Sequence, residues 1–185
     1  ERSFFGTSRL YNENTPLSKR NHFTIYNALP PGFSIVRENR SFVRPITIGV
    51  VSRLEEIKGM DLVVPAFAQV KKRYPDTRLV IVGEGSLRVK MQRQVQECDC
   101  TDNVEWAGRQ PQERLMEWYR RMDIVLMPSR SEGFGLTAIE AMANGCVVVA
   151  SRTGGLPEVV QDGEVGLLHE VGSIDDMANK IISLI

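Results

Sequence analysis

Cysteine is scarce in this sequence, and long hydrophobic runs are absent. The three cysteines, Cys98, Cys100 and Cys146, lack the second cysteine pair or nearby histidine that would complete a zinc site. We therefore expect free thiols, as in a reducing cytosol, and no metal-binding residues. No apolar stretch approaches the ~20 residues of a membrane-spanning helix, and the first residues contain no signal-peptide core. These absences predict a cytoplasmic protein.

An excess of charge of either sign is also absent. The 185 residues include 23 basic and 23 acidic ones, so the net charge gives no support for nucleic-acid binding. Residues 1–45 are mildly basic, and this edge is either an ordinary solvated surface or a region that lies near anionic lipid. The chain begins with Glu1 rather than Met, which we interpret as a piece of a longer protein. Its length and its 42% hydrophobic content fit one compact domain.

Strands and helices alternate regularly over residues 46–185. Short apolar runs predict six strands, at 46–51, 78–82, 104–106, 123–127, 146–150 and 166–168. Helical patterns lie between and after them, at about 60–74, 86–96, 112–121, 137–144, 156–160 and 174–184. This alternation produces right-handed βαβ crossovers, so we expect an α/β fold with a parallel sheet covered on both faces. Residues 1–45 form a leading segment with one short strand near 22–27.

The segment 128–145 is the most informative part of the chain. It contains two glutamates eight positions apart, Glu132 and Glu140, on either side of a turn with Gly133 and Gly135. Glycines let a ligand approach the backbone, and the N–H groups at the start of the following helix can hold a phosphate. The segment therefore predicts a nucleotide-phosphate site.

Glu140 also has a purely structural explanation. Thr137 and Glu140 have the spacing of a capping box, in which the glutamate only reaches back to the start of its helix. Nothing structural requires an acid at Glu132, which lies in a loop beside the end of a predicted strand. Spacing alone leaves both interpretations of Glu140 open.

Two cations follow the first regular strand. Arg53 and Lys58 lie in the loop 52–59, where the planar fork of arginine and the mobile charge of lysine suit a diphosphate. Together they would stabilise the charge that grows on a departing phosphate. The alternative is that both are solvated and pair with Glu55 and Glu56.

Two further loops carry weaker signals. Gly83-Glu84-Gly85 matches a dinucleotide-binding fingerprint only faintly, because the third glycine is missing and the loop is not on the first βα turn. A tight turn explains it better. The segment 106–110 follows another strand and could offer backbone groups to the edge of a base.

Five motifs taken together resemble the C-terminal, donor-binding half of family-4 retaining glycosyltransferases. Their order and spacing match over about residues 46–185, and they are Arg53-x4-Lys58-Gly59, Gly83-Glu84-Gly85, Trp106-x-Gly108, the run from Pro128 to Gly145, and Gly154-Gly155-x-Pro157-Glu158. The resemblance implies a GT-B enzyme, in which two Rossmann-like domains face each other across a cleft. This chain would be the C-terminal domain, with a doubly wound parallel sheet that holds the nucleotide sugar.

The resemblance also implies roles for individual residues. Glu140 would bind the ribose hydroxyls, and three residues would act in catalysis: Glu132 faces the donor sugar near the reacting carbon, while Arg53 and Lys58 hold the diphosphate leaving group. Arg109 and Gln110 would approach the base. The start of the helix would bind phosphate or sugar through Gly133, Phe134, Gly135, Leu136 and Thr137.

The implied reaction transfers a sugar with retention of configuration, and the departing diphosphate helps to take the proton of the acceptor. No Asp-x-Asp occurs in the sequence, which agrees with an enzyme that needs no divalent metal. We expect a UDP-hexose or UDP-N-acetylhexosamine donor. The expected acceptor is a lipid-linked saccharide of bacterial surface polysaccharide (O-antigen or capsule type, as in lipopolysaccharide), at the inner face of the membrane. The acceptor domain is missing, so the fragment should bind donor without catalysing transfer.

Two other readings remain open from the sequence. One is a GT-B-fold UDP-sugar epimerase, which shares the architecture but not this pair of glutamates at this spacing. The other is a non-catalytic nucleotide-binding α/β module, in which Glu140 caps its helix and Glu132 is solvated.

Overall fold

A computed structural model of the chain describes residues 3–4, 22–23 and 42–185. Two short strands, β1 (Ser3–Phe4) and β2 (His22–Phe23), pair in parallel. β2 lies within the strand predicted near 22–27, and the rest of that strand lies outside the described residues.

Within the described residues, six strands form the main sheet and six α-helices accompany them. The strands are β3 (Thr47–Val51), β4 (Arg78–Val82), β5 (Val104–Gly108), β6 (Ile124–Met127), β7 (Val147–Ser151) and β8 (Gly166–His169). The helices are α1 (Met60–Arg73), α2 (Arg88–Glu97), α3 (Leu115–Tyr119), α4 (Leu136–Ala143), α5 (Leu156–Val159) and α6 (Ile174–Leu184).

The main sheet is doubly wound. Its strand order is β5-β4-β3-β6-β7-β8, and every neighbouring pair is parallel. The chain runs outward from β3 to β5, crosses back to β6 and then runs outward to β8. The loops after β3 and β6 therefore leave the sheet side by side and in opposite directions, which creates a crevice at the carboxyl ends of these strands. The predicted Rossmann-like α/β fold is confirmed.

Successive side chains along the strands pack alternately into two hydrophobic cores, one on each face of the sheet. On β6, Ile124 and Leu126 belong to the core beneath α1, α2 and α6, while Val125 and Met127 belong to the core beneath α3, α4 and α5. All four side chains are buried. Burial on both faces explains why these strands are continuous apolar runs in the sequence.

The helix predicted at 112–121 is shorter in the structure. Residues 112–114 form a single 3-10 turn, and α3 covers only the next five residues. The turn begins at Pro111, whose carbonyl accepts a hydrogen bond from the Arg114 N–H at 3.0 Å. After α3, the Met122 N–H donates to the Tyr119 carbonyl at 3.0 Å and turns the chain into β6. Helical periodicity does not distinguish these tight turns from α-helix.

Pro65 lies inside α1 without interrupting it. Proline has no N–H to donate to the carbonyl four residues earlier, here that of Asp61. The side-chain amide of Gln94, on α2, donates to this carbonyl at 3.0 Å instead. The neighbouring helix thus satisfies the group that the proline leaves unpaired.

His169 makes the stability of the fold dependent on pH. The imidazole is fully buried at the end of β8, and its Nε2 has no hydrogen-bond partner among the described residues. Burial lowers the pKa of His169, although the nearby Glu170 and Asp176 partly oppose this effect and Lys180 adds to it. As the pH falls below about 6.5, the unfolded chain takes up a proton first, so the free energy of unfolding decreases.

We expect His169→Asn to flatten this dependence between pH 8 and pH 5. Urea unfolding at four pH values measures it, and His22→Asn, which removes the other histidine of the chain, is the control. Asp61 and Asp162 also have lowered pKa values. Their protonation changes the free energy of unfolding only below about pH 4, outside the range measured here. If the free energy of unfolding changed with pH equally in wild type and His169→Asn, His169 would not be the source of the pH dependence.

None of the helices within the described residues combines the length and the hydrophobicity needed to span a bilayer.

Candidate active site

A cavity of about 500 Å³ opens at the carboxyl edge of the sheet, beside the crevice between β3 and β6. Its walls come from the ends of β3 and β4, from the segment after β5 and from the start of α4. Five predicted site residues line it together: Arg53, Arg109, Gln110, Thr137 and Glu140. Gln112, Leu115 and Glu84 complete the wall around them. Residues that are far apart in the sequence thus share one ligand-sized space.

Glu140 reaches the cavity from within α4 and is only 7% exposed. Its Oε2 accepts a hydrogen bond from the Tyr119 hydroxyl at 2.8 Å, and its Oε1 accepts one from the Gln112 amide at 2.9 Å. The capping box is not formed, because the N-cap of α4 is Gly135 and Thr137 lies inside the helix. Helix capping therefore does not explain Glu140.

Tyr119 is fully buried beneath this carboxylate. Burial, followed by the negative charge of Glu140 and the hydrogen bond to it, raises the pKa of the Tyr119 hydroxyl far above its usual value. The hydroxyl is therefore a permanent donor at working pH. The sequence interpretation missed both Tyr119 and Gln112. A buried tyrosine signals that its hydroxyl needs a partner, but the sequence does not say which one.

Lys58 and Glu132 meet where the loops after β3 and β6 come together. Lys58 Nζ lies 2.7 Å from Glu132 Oε2, and the two side chains are 22% and 16% exposed. Lys58 therefore pairs with Glu132, which is also a predicted catalytic residue, rather than with Glu55 or Glu56. Arg53 differs, because its side chain is 67% exposed and its guanidinium pairs with Glu55 at 2.8 Å, as in the alternative interpretation.

A second ion pair holds the loop after β6 in place. Arg130 donates two hydrogen bonds to the Asp61 carboxylate, at 2.7 and 2.9 Å, and it also donates to the Glu56 carbonyl. The hydrogen bonds from Arg130 outweigh the effect of burial and lower the pKa of Asp61. This bidentate contact attaches the loop that contains Glu132 to the first turn of α1. The sequence interpretation did not identify this pair.

The predicted phosphate-binding segment, from Gly133 to Thr137, covers the turn before α4 and the first two residues of that helix. Gly135 occupies the N-cap with φ +95°, a conformation that favours glycine. Within the described residues, no side chain caps the start of this helix. The first N–H groups of a helix carry partial positive charge and suit an anion.

The Gly83-Glu84-Gly85 motif joins neighbouring loops in the structure. The Gly83 N–H donates to the Gly108 carbonyl at 2.8 Å, and the Leu54 N–H donates to the Glu84 carbonyl at 2.9 Å. Glu84 also lines the cavity. The motif therefore ties the loops after β3, β4 and β5 together at the cavity wall.

Gly154 packs against the backbone of Glu132. It has φ +53°, and a Cβ atom there would lie 1.7 Å from the Glu132 carbonyl oxygen. We expect Gly154→Ala to displace this loop and to lower the free energy of unfolding by more than about 2 kcal/mol, the upper end of the cost of left-handed backbone for alanine. Urea unfolding measures the loss.

The matched control is Gly163→Ala. Gly163 has φ +82°, but a Cβ atom there would meet nothing within 4 Å. We expect it to show only the backbone cost, on the order of 1–2 kcal/mol. Equal losses in the two variants would contradict the close contact at Glu132.

The described residues contain no group of three or more His, Cys, Asp and Glu side chains arranged to hold a metal ion. Cys98, Cys100 and Cys146 are free thiols.

Comparison with known proteins identifies similar sequences and folds. The family model for glycosyl transferases group 1 matches residues 34–185. A D-inositol 3-phosphate glycosyltransferase of Corynebacterium jeikeium is 37% identical over 149 residues, which is 77% of this chain and 36% of the relative. A GDP-mannose-dependent alpha-(1-6)-phosphatidylinositol monomannoside mannosyltransferase of Mycolicibacterium smegmatis is 33% identical, over 77% of this chain and 39% of the relative.

Among solved structures, a TarM mutant of S. aureus in complex with fondaparinux, alpha-GlcNAc-glycerol and UDP has a TM-score of 0.79. It is 25% identical and covers 99% of this chain and 36% of its own. The chain thus spans a little over a third of the length of each protein that it matches here.

Proposed function

The chain belongs to the glycosyl transferases group 1 family, of GT-B fold, and from this premise we propose that it forms the donor-binding half of a retaining glycosyltransferase. The observation that carries the proposal is the cavity in which Glu140 and Arg53 both form part of the wall. A carboxylate accepts hydrogen bonds from sugar hydroxyls, and guanidinium groups pair with phosphate oxygens. One cavity thus contains a partner for the ribose and a partner for the diphosphate of a nucleoside diphosphate.

In this proposal, Glu140 binds the ribose hydroxyls of the donor, and Arg109 and Gln110 approach its base. Gln110 is already fixed, since its side-chain amide donates to the Ala107 carbonyl at 2.7 Å. The backbone N–H groups at the start of α4 bind phosphate or sugar, supported by the absence of a side-chain cap within the described part of this helix.

The catalytic residues are Lys58, Arg53 and Glu132. Lys58 and Arg53 stabilise the negative charge that develops on the leaving diphosphate, and Glu132 accepts hydrogen bonds from the donor sugar near the reacting carbon. The Lys58–Glu132 contact supports this arrangement, because it brings the cation and the carboxylate together at the crevice. Most of the rate enhancement would come from positioning and charge stabilisation, while the diphosphate itself helps to take the proton of the acceptor.

We propose a UDP-hexose or UDP-N-acetylhexosamine as the donor, with no divalent metal required. The TarM complex contains UDP and supports uridine, whereas the mannosyltransferase relative is named for GDP-mannose and makes guanine the alternative to test. The proposed acceptor is a lipid-linked saccharide used in surface-polysaccharide synthesis at the inner face of the membrane. The phosphatidylinositol monomannoside in the name of one relative supports a lipid-linked acceptor.

A transfer assay with the full-length enzyme tests this function. UDP-glucose, UDP-N-acetylglucosamine and GDP-mannose are each incubated with a membrane-lipid extract in EDTA, and NMR follows diphosphate release and the anomeric configuration of the product. We expect one donor to react and its configuration to be retained. Inversion, or a requirement for metal, would contradict the mechanism. Conversion of a UDP-sugar to its epimer without an acceptor would identify an epimerase instead.

A further inference from the structure

The carboxylate of Glu140 has one protein donor on each oxygen, and this pattern determines what a ligand finds there. The Tyr119 hydroxyl donates to Oε2 at 2.8 Å, and the Gln112 amide donates to Oε1 at 2.9 Å. A carboxylate has about four lone-pair positions, two on each oxygen. One position on each oxygen therefore remains for a ligand, on a side chain that lines the cavity.

The donors also restrict the orientation of the carboxylate. Tyr119 is fully buried at the end of α3. Its carbonyl accepts a hydrogen bond from the Cys146 thiol at 3.1 Å. The tyrosine is thus fixed by close packing and through its backbone, so it can fix Glu140 in turn.

We propose that Tyr119 and Gln112 are positioning residues that aim both oxygens of Glu140 at a vicinal pair of hydroxyls. This inference rests on the proposed function, in which those hydroxyls are the 2′ and 3′ groups of the donor ribose. A nucleotide that lacks one of them leaves a buried, charged acceptor without its partner. The positioning residues therefore set the discrimination between ribonucleotides and deoxyribonucleotides.

Calorimetric titration of the chain with UDP and with 2′-deoxy-UDP tests the proposal, with GDP and 2′-deoxy-GDP titrated in parallel. We expect the wild type to bind the ribonucleotide on the order of tenfold more tightly than its 2′-deoxy form, the size of one hydrogen bond to a charged group. In Tyr119→Phe, the affinity for the ribonucleotide falls about tenfold while that for the 2′-deoxy form stays nearly constant, so the ratio approaches one.

Two further variants complete the test. Tyr74→Phe removes the hydroxyl of a tyrosine packed against the other core and should leave the ratio as in wild type. Gln112→Leu removes the second donor from an exposed position at the cavity rim, and it tests the same loss of discrimination if Tyr119→Phe does not fold. A merely structural role would lower the melting temperature and leave the ratio unchanged.

The outcomes distinguish a failure of the positioning role from a failure of the proposed function. Nucleotide binding with an unchanged ratio in both Tyr119→Phe and Gln112→Leu would overturn the positioning role alone. Equal wild-type affinities for the ribonucleotide and its 2′-deoxy form would do the same. If neither the chain nor the full-length enzyme binds UDP, GDP or ADP, the proposed function itself fails.

Discussion

We expect Lys58→Ala to lower kcat of the full-length enzyme by a factor on the order of 10²–10³, since in the proposed mechanism it removes a fixed cation from the charge that develops on the leaving diphosphate. Lys58 is suited to this role because its side chain lies at the crevice and is only 22% exposed. In such surroundings a charge acts more strongly than at the surface. The measurement is the initial rate of transfer at saturating donor.

The contact with Glu132 requires a control, because Lys58→Ala also leaves that carboxylate without its cation. The variants Lys58→Ala and Glu132→Gln are therefore combined in a double-mutant cycle. If Lys58 served only to hold Glu132, the double variant would be no slower than Glu132→Gln alone. We expect it to be slower. Lys72→Ala, at the exposed end of α1, controls for loss of a basic residue elsewhere.

We expect Glu140→Gln to weaken binding of the donor nucleotide by a factor on the order of 10², because the two hydrogen bonds that the proposal assigns to ligand hydroxyls and this charged acceptor would be lost or reversed. The change keeps the size of the side chain. It places an amide NH₂ against one of the two donors, Tyr119 or Gln112, that now point at the carboxylate. Calorimetry gives the affinity, and thermal melts with and without nucleotide separate it from stability.

Glu117→Gln is the matched control, since it removes an exposed carboxylate that pairs with Arg114 on the surface of α3. It should change neither the affinity nor the melting temperature appreciably. A Glu140→Gln variant that melts earlier but binds nucleotide as wild type would show that Glu140 only stabilises the fold.

The sheet was predictable from the sequence because its strands are buried on both faces. β4 begins and ends where the apolar run does, at Arg78 and Val82, and β3 and β6 begin one residue later than predicted. The extent of α3 was not predictable, because 3-10 turns at both ends have the same periodicity as a helix.

Candidate site residues could be predicted from the sequence only where charged side chains lie in a loop that follows a predicted strand. Glu132 and Lys58 each stood out in their own loops, but their contact joins residues 74 positions apart and depends on β3 lying beside β6. Tyr119 looks like an ordinary core residue in the sequence. Its hydrogen bond to Glu140 forms only when α3 and α4 are packed together.

Calorimetric titration of the chain with UDP, GDP and ADP, first in EDTA and then with magnesium, tests whether the cavity at Glu140 is a metal-independent donor site. We expect one of the three nucleotides to bind at a single site with the same affinity in both buffers, and that nucleotide identifies the class of donor. Binding that appears only with magnesium would contradict the metal-independent site. If the titration and its repetition with the full-length enzyme show no binding of any of the three, the donor-site account is wrong.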